Sequence, residues 1–360
     1  MDTSILDKFG WNDFFAQQFL TLADGLFVPA RVSAEHRGAF LVLTVGGDIP
    51  AEVTGRMMFQ AEDRLDYPVV GDWVLVDLLD RGTQAVIHSV LPRRTLLVRK
   101  TAGKDVAVQA IAANIDMVFI ITGLDGNYNL RRIERYLVAA RESGAKPVVL
   151  LNKSDLALDA PGRLREALAA AGPVQVLLVS ALTGAGMDEL ERMIAPGVTA
   201  CFVGSSGAGK STLINRLAGM ELARIAEVRE IDSRGRHTTT HRQMFVLPSG
   251  AIVIDTPGMR ELGMVDAEAG IENTFADIEQ MGRECRFRNC SHTFEQGCAV
   301  LAAIAGGELD QGRYKSFLKL RGEIQHNEEK LDAKARLERK GRDRMLAKAI
   351  RNVLKNKGKK

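Results

Sequence analysis

The chain has 360 residues, 46% of them hydrophobic and 26% charged, with 34 glycines and 10 prolines. That length suits two or three domains, and the composition excludes a disordered or fibrous chain. Forty-eight basic residues against 45 acidic ones leave a net charge of +3, so the overall balance selects no class of partner and only the distribution of charge can.

Residues 1–12 include Asp2 and Asp7 and lack a basic head followed by a long apolar run, so they do not read as a secretory signal. The longest apolar stretches, such as Met117 to Ile121 and Pro147 to Leu151, have the length of buried strands and fall far short of a bilayer. We therefore expect a cytoplasmic protein without a membrane partner. Over residues 25–100, five runs predict strands: FVPARVSA, AFLVLTV, AEVTGRMMF, DWVLVDLL and AVIHSVL. Five such strands with polar loops suit an OB-type β-barrel, a fold that often binds oligonucleotides; a small SH3-like barrel has the same signature.

Residues 101–270 change rhythm. The strand MVFIIT is followed by the helix NLRRIERYLVAARESG, then strand PVVLLNK, helix GRLREALAAAG, strand VQVLLVSA, helix GMDELERMIA, strand VTACFVG and helix GKSTLINRLAG. Apolar strands without alternation, each followed by an amphipathic helix, predict an α/β domain with a mostly parallel sheet covered on both faces. Ligands of such sheets sit at the carboxyl ends of the strands.

Two motifs stand at such ends. Gly204, Ser205, Ser206, Gly207, Ala208, Gly209, Lys210, Ser211 and Thr212 follow a strand and open a helix, the context a phosphate-binding loop requires. Its glycines let backbone N–H groups turn toward phosphate, Lys210 meets the β- and γ-phosphates, and Ser211 can ligate Mg²⁺. Asn152, Lys153, Ser154 and Asp155 end the strand PVVLL and suit guanine, because a carboxylate accepts from both the ring N–H and the exocyclic amine. Ser180 and Ala181 end the next strand, where the Ala181 N–H can meet the guanine oxygen.

Asp255-Thr256-Pro257-Gly258 closes the strand AIVID, where a water-bridged Mg²⁺ aspartate and a γ-phosphate-sensing Gly258 belong; we read it as switch II. The polar loop Arg234 to Arg242 reads as switch I, with Thr238, Thr239 and Thr240 all able to complete the Mg²⁺ shell. Its basic residues suit either a solvated loop or contact with RNA phosphate. The base motif precedes the phosphate loop, the reverse of an ordinary GTPase, which indicates circular permutation. Switch II then runs directly into the C-terminal segment.

Residues 271–325 hold Cys285, Cys290, His292 and Cys298, three thiolates and an imidazole that suit a closed, structural Zn²⁺ site in a small, mainly helical domain. Cys201 lies on an apolar strand and reads as a small buried hydrophobe. Residues 326–360 read as a basic helical tail: from Arg342 onward, eight basic residues face the single acid Asp343. Such a tail is either a solvated face or an RNA contact.

The order of barrel, GLDGNYNLRRIERYL, NKSD, SALTG, GSSGAGKST, GRHTTTHR, DTPG and CRFRNCSHTFEQGC resembles the circularly permuted ribosome small-subunit-dependent GTPase A family across almost the whole chain. The resemblance implies an OB barrel, a permuted G domain and a zinc domain; we expect a monomer that binds GTP and GDP with Mg²⁺ and one structural Zn²⁺. It also implies docking on the small ribosomal subunit and its rRNA late in maturation, with hydrolysis stimulated by the subunit. Members lack the glutamine that usually orients water beside switch II. Here Met259 follows Gly258, and His237 is the candidate for that task, alongside Lys210 and Asp255 as catalytic groups. The alternative reading is a GTP-gated protein acting on a non-ribosomal RNA. A non-hydrolysing scaffold would leave Lys210, Ser211 and Asp255 unexplained.

Overall fold

A computed structural model of the chain describes residues 4–22, 27–36, 38–100, 108–219, 242–256 and 267–330. His237, the threonines 238–240, Gly258, Met259 and the basic residues from Arg342 onward lie outside them.

Five strands close the predicted barrel: β1 (Val28–His36), β2 (Ala39–Thr44), β3 (Gly47–Val53), β4 (Trp73–Leu79) and β5 (Gln84–Val90). Their order is β1-β2-β3-β5-β4, and a β1–β4 pairing closes the ring; β3 and β5 run parallel. Ala30, Val32, Val42, Ala51, Val74, Val76 and Ile87 fill the interior from alternate positions, as a half-buried strand requires. One predicted strand is shorter than expected. The run AEVTGRMMF is strand only to Val53, because the Thr54 hydroxyl accepts from the Met57 N–H and caps a short helix, Gly55–Gln60.

A two-stranded hairpin, β6 (Leu96–Lys100) with β7 (Val108–Ala113), follows the barrel and was not anticipated. The α/β domain then supplies β8 (Met117–Gly123), β9 (Lys146–Asn152), β10 (Val176–Leu178), β11 (Thr199–Gly204), β12 (Gln243–Val246) and β13 (Ile252–Asp255). Their order is β10-β9-β8-β11-β13-β12. The first five are parallel, with β12 antiparallel to β13 at the edge. The four named helices appear at Leu130–Glu142, Ala160–Ala171, Met187–Met193 and Lys210–Ala218. Apolar clusters cover both sheet faces, one centred on Val118, Ile120, Leu137 and Val149, the other on Phe119, Ile121, Leu150 and Phe202.

β12 also pairs with β1 at Ala34 and Gln243, so barrel and α/β sheet form one continuous eleven-stranded sheet. The C-terminal part is helical, with helices Glu268–Thr274, Ala276–Gly282, Ala299–Gly306 and a helix over residues 311–330. Val138 of the helix Leu130–Glu142 belongs to the same core as Phe275, Val300 and Phe317. Gly270 makes that contact possible, since a Cβ there would lie 2.4 Å from the Val138 carbonyl oxygen. Among the described residues no helix is long and apolar enough to cross a membrane.

Candidate functional site

β9 ends at Asn152, β11 at Gly204 and β13 at Asp255, so one edge of the parallel sheet gathers the three predicted motifs. The loop after β11 depends on two close approaches. A Cβ on Gly204 would lie 2.4 Å from the Ile121 carbonyl oxygen, and one on Gly209 would lie 2.2 Å from Asn152 Nδ2. Gly209 also holds φ +94, the left-handed region that a side chain disfavours. Lys210 then begins a helix, and its Nζ donates to the Gly204 and Ser205 carbonyls at 2.7 and 3.1 Å. Ser211 and Thr212 lie in the first turn, beside the unpaired N–H groups of the helix start.

Burial lowers the Lys210 pKa, opposed by the charge of Asp255; burial raises that of Asp255, opposed by the charge of Lys210. Two opposite charges are thus held partly out of water next to the glycine-rich loop, an arrangement able to take both an anion and a cation. Thr256 fixes the end of β13, its hydroxyl donating to the Phe202 carbonyl at 3.0 Å.

The base motif is braced to this loop by one buried carboxamide. Asn152 Nδ2 donates to the Ala208 carbonyl at 2.9 Å, while Asn152 Oδ1 accepts from the Ala181 N–H at 3.2 Å. Lys153 takes a left-handed backbone, φ +61, which turns the chain from strand into the short helix Ser154–Leu156. The Ser154 N–H donates to the Val179 carbonyl at 3.1 Å, and the Ser180 hydroxyl donates to Asp155 Oδ1 at 2.5 Å. Asn152, Lys153, Ser154, Asp155, Ser180 and Ala181 therefore converge on Gly204–Thr212. Asp125, Asn127 and Arg132, given no role from sequence, reach the same place. Their signal was the polar run GLDGNYNLRR beginning at the carboxyl end of β8.

Cys285, Cys290, His292 and Cys298 offer ligand atoms that all lie within 4.8 Å of one another. Zinc bonds of about 2.3 Å to sulfur and about 2.0–2.1 Å to nitrogen, set tetrahedrally, imply S···S of about 3.8 Å and S···N of about 3.5 Å. Cys285 and Cys298 sulfurs are 3.8 Å apart, and each lies 3.5 Å from His292 Nδ1. The donor set and its spacing fit a closed zinc site. Its surroundings also orient it: Cys298 Sγ accepts from the Leu301 N–H at 3.4 Å, and the Tyr314 hydroxyl donates to the His292 carbonyl. Cys201 stands apart on β11, fully buried, with its thiol pushed up to about 12 by that burial.

Residues 90–265 match the sequence profile of the RsgA GTPase family. Over 337 residues the chain is 46% identical to the small ribosomal subunit biogenesis GTPase RsgA of Opitutus terrae, covering 91% of this chain and 92% of that one. The chain belongs to the RsgA GTPase family. The crystal structure of YjeQ from Thermotoga maritima superposes with a TM-score of 0.61 at 27% identity, over 83% of this chain and 99% of that one. That of YloQ, a circularly permuted GTPase, gives 0.58 at 21% identity over 85% and 97%, a likeness in fold alone.

As an RsgA-family enzyme the protein is a GTPase, acting on GTP and yielding GDP, with Mg²⁺ as the phosphate counter-ion. Its permuted order, with Asn152 ahead of Gly204, is the order the sequence predicted.

Proposed function

We propose that the protein hydrolyses GTP during late maturation of the small ribosomal subunit, in the cytoplasm and as a monomer, and that contact with the subunit and its rRNA accelerates the reaction. The observation that carries this is the Asn152 brace, which ties the guanine motif, the phosphate loop and Ala181 together at one edge of the sheet. The relatives' names supply the subunit.

In this reading Asp155 accepts from guanine, the Ala181 N–H shifts from Asn152 Oδ1 to meet the guanine oxygen, and Lys153 lies along the base's face. Gly204–Gly209 and Lys210 hold the phosphates; Ser211 ligates Mg²⁺, with Asp255 behind a bridging water. Bound Mg²⁺ supplies charge neutralisation at the β- and γ-phosphates. Gly258 senses the γ-phosphate, and His237 orients the attacking water once the subunit places it. Cys285, Cys290, His292 and Cys298 hold one structural zinc that builds the C-terminal module. The module divisions follow at 25–100, 101–270, 271–325 and 326–360, the last gripping RNA phosphate.

Sedimentation tests the partner. The protein loaded with a non-hydrolysable GTP analogue should pellet with small subunits, leave them when loaded with GDP, and ignore an unrelated RNA of similar length. Equal binding to the unrelated RNA would transfer the function to a GTP-gated RNA binder.

A further inference from the structure

The sheet order places β8 between β9, which carries the base motif, and β11, which carries the phosphate loop. The loop leaving β8 at its carboxyl end must therefore lie between the two halves of the nucleotide site. It is built to touch both. Asp125 Oδ2 pairs with Lys153 Nζ at 2.5 Å, while its Oδ1 accepts from the Asn127 N–H at 3.0 Å. Asn127 Nδ2 donates to the Ser206 carbonyl at 3.0 Å. Arg132 NH1 donates to Asn127 Oδ1 at 2.7 Å and to Ser205 Oγ at 2.9 Å. Asn129 starts the helix that carries Arg132, its side chain accepting from the Arg132 N–H.

We propose that Asp125, Asn127 and Arg132 form a clamp in which Asp125 sets the base lysine, and Asn127 with Arg132 are positioning residues for the γ-phosphate end of the loop. The assignment to that end follows from Lys210. Its ammonium lies on the Gly204 and Ser205 carbonyls. In a phosphate loop that ammonium meets the β- and γ-phosphates. Ser205 and Ser206 thus border the phosphate that GTP has and GDP lacks, and the clamp fixes those two residues from outside. Lys153, held by Asp125, faces the half that the two nucleotides share. The inference rests on reading Gly204–Ser211 as the phosphate loop.

The test uses the full-length protein, with affinities for GDP and a non-hydrolysable GTP analogue and single-turnover hydrolysis measured side by side. Arg132→Ala, Asn127→Ala and Ser205→Ala should each weaken the GTP analogue and slow turnover by about ten- to a hundredfold, the scale of a charge-assisted hydrogen bond. GDP affinity should change by less than about threefold. Arg132→Lys, which keeps a donor for Ser205, should recover most of the loss. The double variant Arg132→Ala/Ser205→Ala should be no worse than the poorer single one. Asp125→Asn should weaken GTP and GDP alike. Equal losses for both nucleotides in Arg132→Ala, or losses that multiply in the double variant, would overturn the clamp. Lys210→Ala, run in parallel, separates the underlying reading: if it still binds both nucleotides normally, the phosphate-loop assignment itself fails.

Discussion

In the proposed function, guanine selectivity turns on Asp155. Its carboxylate accepts the Ser180 hydroxyl through Oδ1 and leaves further acceptor capacity for two base donors. Exchange to asparagine replaces one acceptor by an N–H, which suits the extra carbonyl of xanthine and opposes the guanine amine. Asp155→Asn should lose about a hundredfold in GTP affinity and gain affinity for xanthosine triphosphate, with ATP remaining poor. Competition against a fluorescent guanine nucleotide checks it; unchanged selectivity would remove Asp155 from the base site. At this scale the glycine-rich loop was readable, because the close approach to Asn152 and the left-handed backbone admit glycine alone at Gly209. The brace from Asn152 to Ala208 and the clamp from Asn127 to Ser206 were not readable. Both join side chains to backbone 56 and 79 residues away, and only the fold sets such pairs.

The helix Leu130–Glu142 is the element that joins the nucleotide edge to the C-terminal module. Arg132 near its start meets the phosphate loop, while Val138 enters the module's core and Arg135 pairs with Glu323 at 2.7 Å. Arg313 pins the contact. Its guanidinium donates to both Asp277 oxygens, the Thr274 and Ala170 carbonyls and Glu134 Oε1, and it stacks on Phe275 at 4.9 Å. Burial raises the Glu134 carboxyl, and the neighbouring arginines offset this only in part.

Arg313→Ala leaves that buried acid with Arg131 as its remaining cation and removes the partner of Asp277, and should cost about 2–3 kcal/mol in denaturant unfolding, discounted for the exposure of Asp277, with Arg313→Lys recovering little. The Asp277 carboxyl has the opposite sign. Burial alone would raise it, but the hydrogen bonds and charge of Arg313 outweigh burial and hold it below its ordinary 3.8. Its stabilisation is therefore complete above pH 3.8 and lost as pH falls through the depressed value. An Arg313→Ala protein with wild-type stability across that range would contradict the pin.

Amphipathic period revealed this helix, since Ile133, Leu137 and Ala140 share a buried face. The hairpin β6–β7 and edge strand β12 went unread. They are short, and each pairs mainly with the strand next to it in the chain, so neither contributes a long apolar run to read. The run AEVTGRMMF misled because a strand and a short helix meet at Thr54, and Gly55, the one turn signal there, opens the helix.

Across the whole molecule, barrel and α/β domain are continuous through β1 and β12. Buried Arg31 locks them further, donating to the Phe9, Gly71 and Asn114 carbonyls, so an N-terminal segment, the barrel and the entry to β8 meet on one guanidinium. Burial lowers the Arg31 pKa to about 10, against the opposing charges of Asp116 and Asp72, so it stays charged at neutral pH. The domain order was legible from rhythm alone; this coupling was not, because composition gives no sign that Arg31 is interior. GTP turnover by wild type and His237→Ala, with and without purified small ribosomal subunits at fixed salt, tests the central claim most directly. We expect slow wild-type turnover that rises sharply with small subunits, and a His237→Ala protein that binds GTP but shows no such rise. Wild-type turnover indifferent to small subunits would contradict the proposed function.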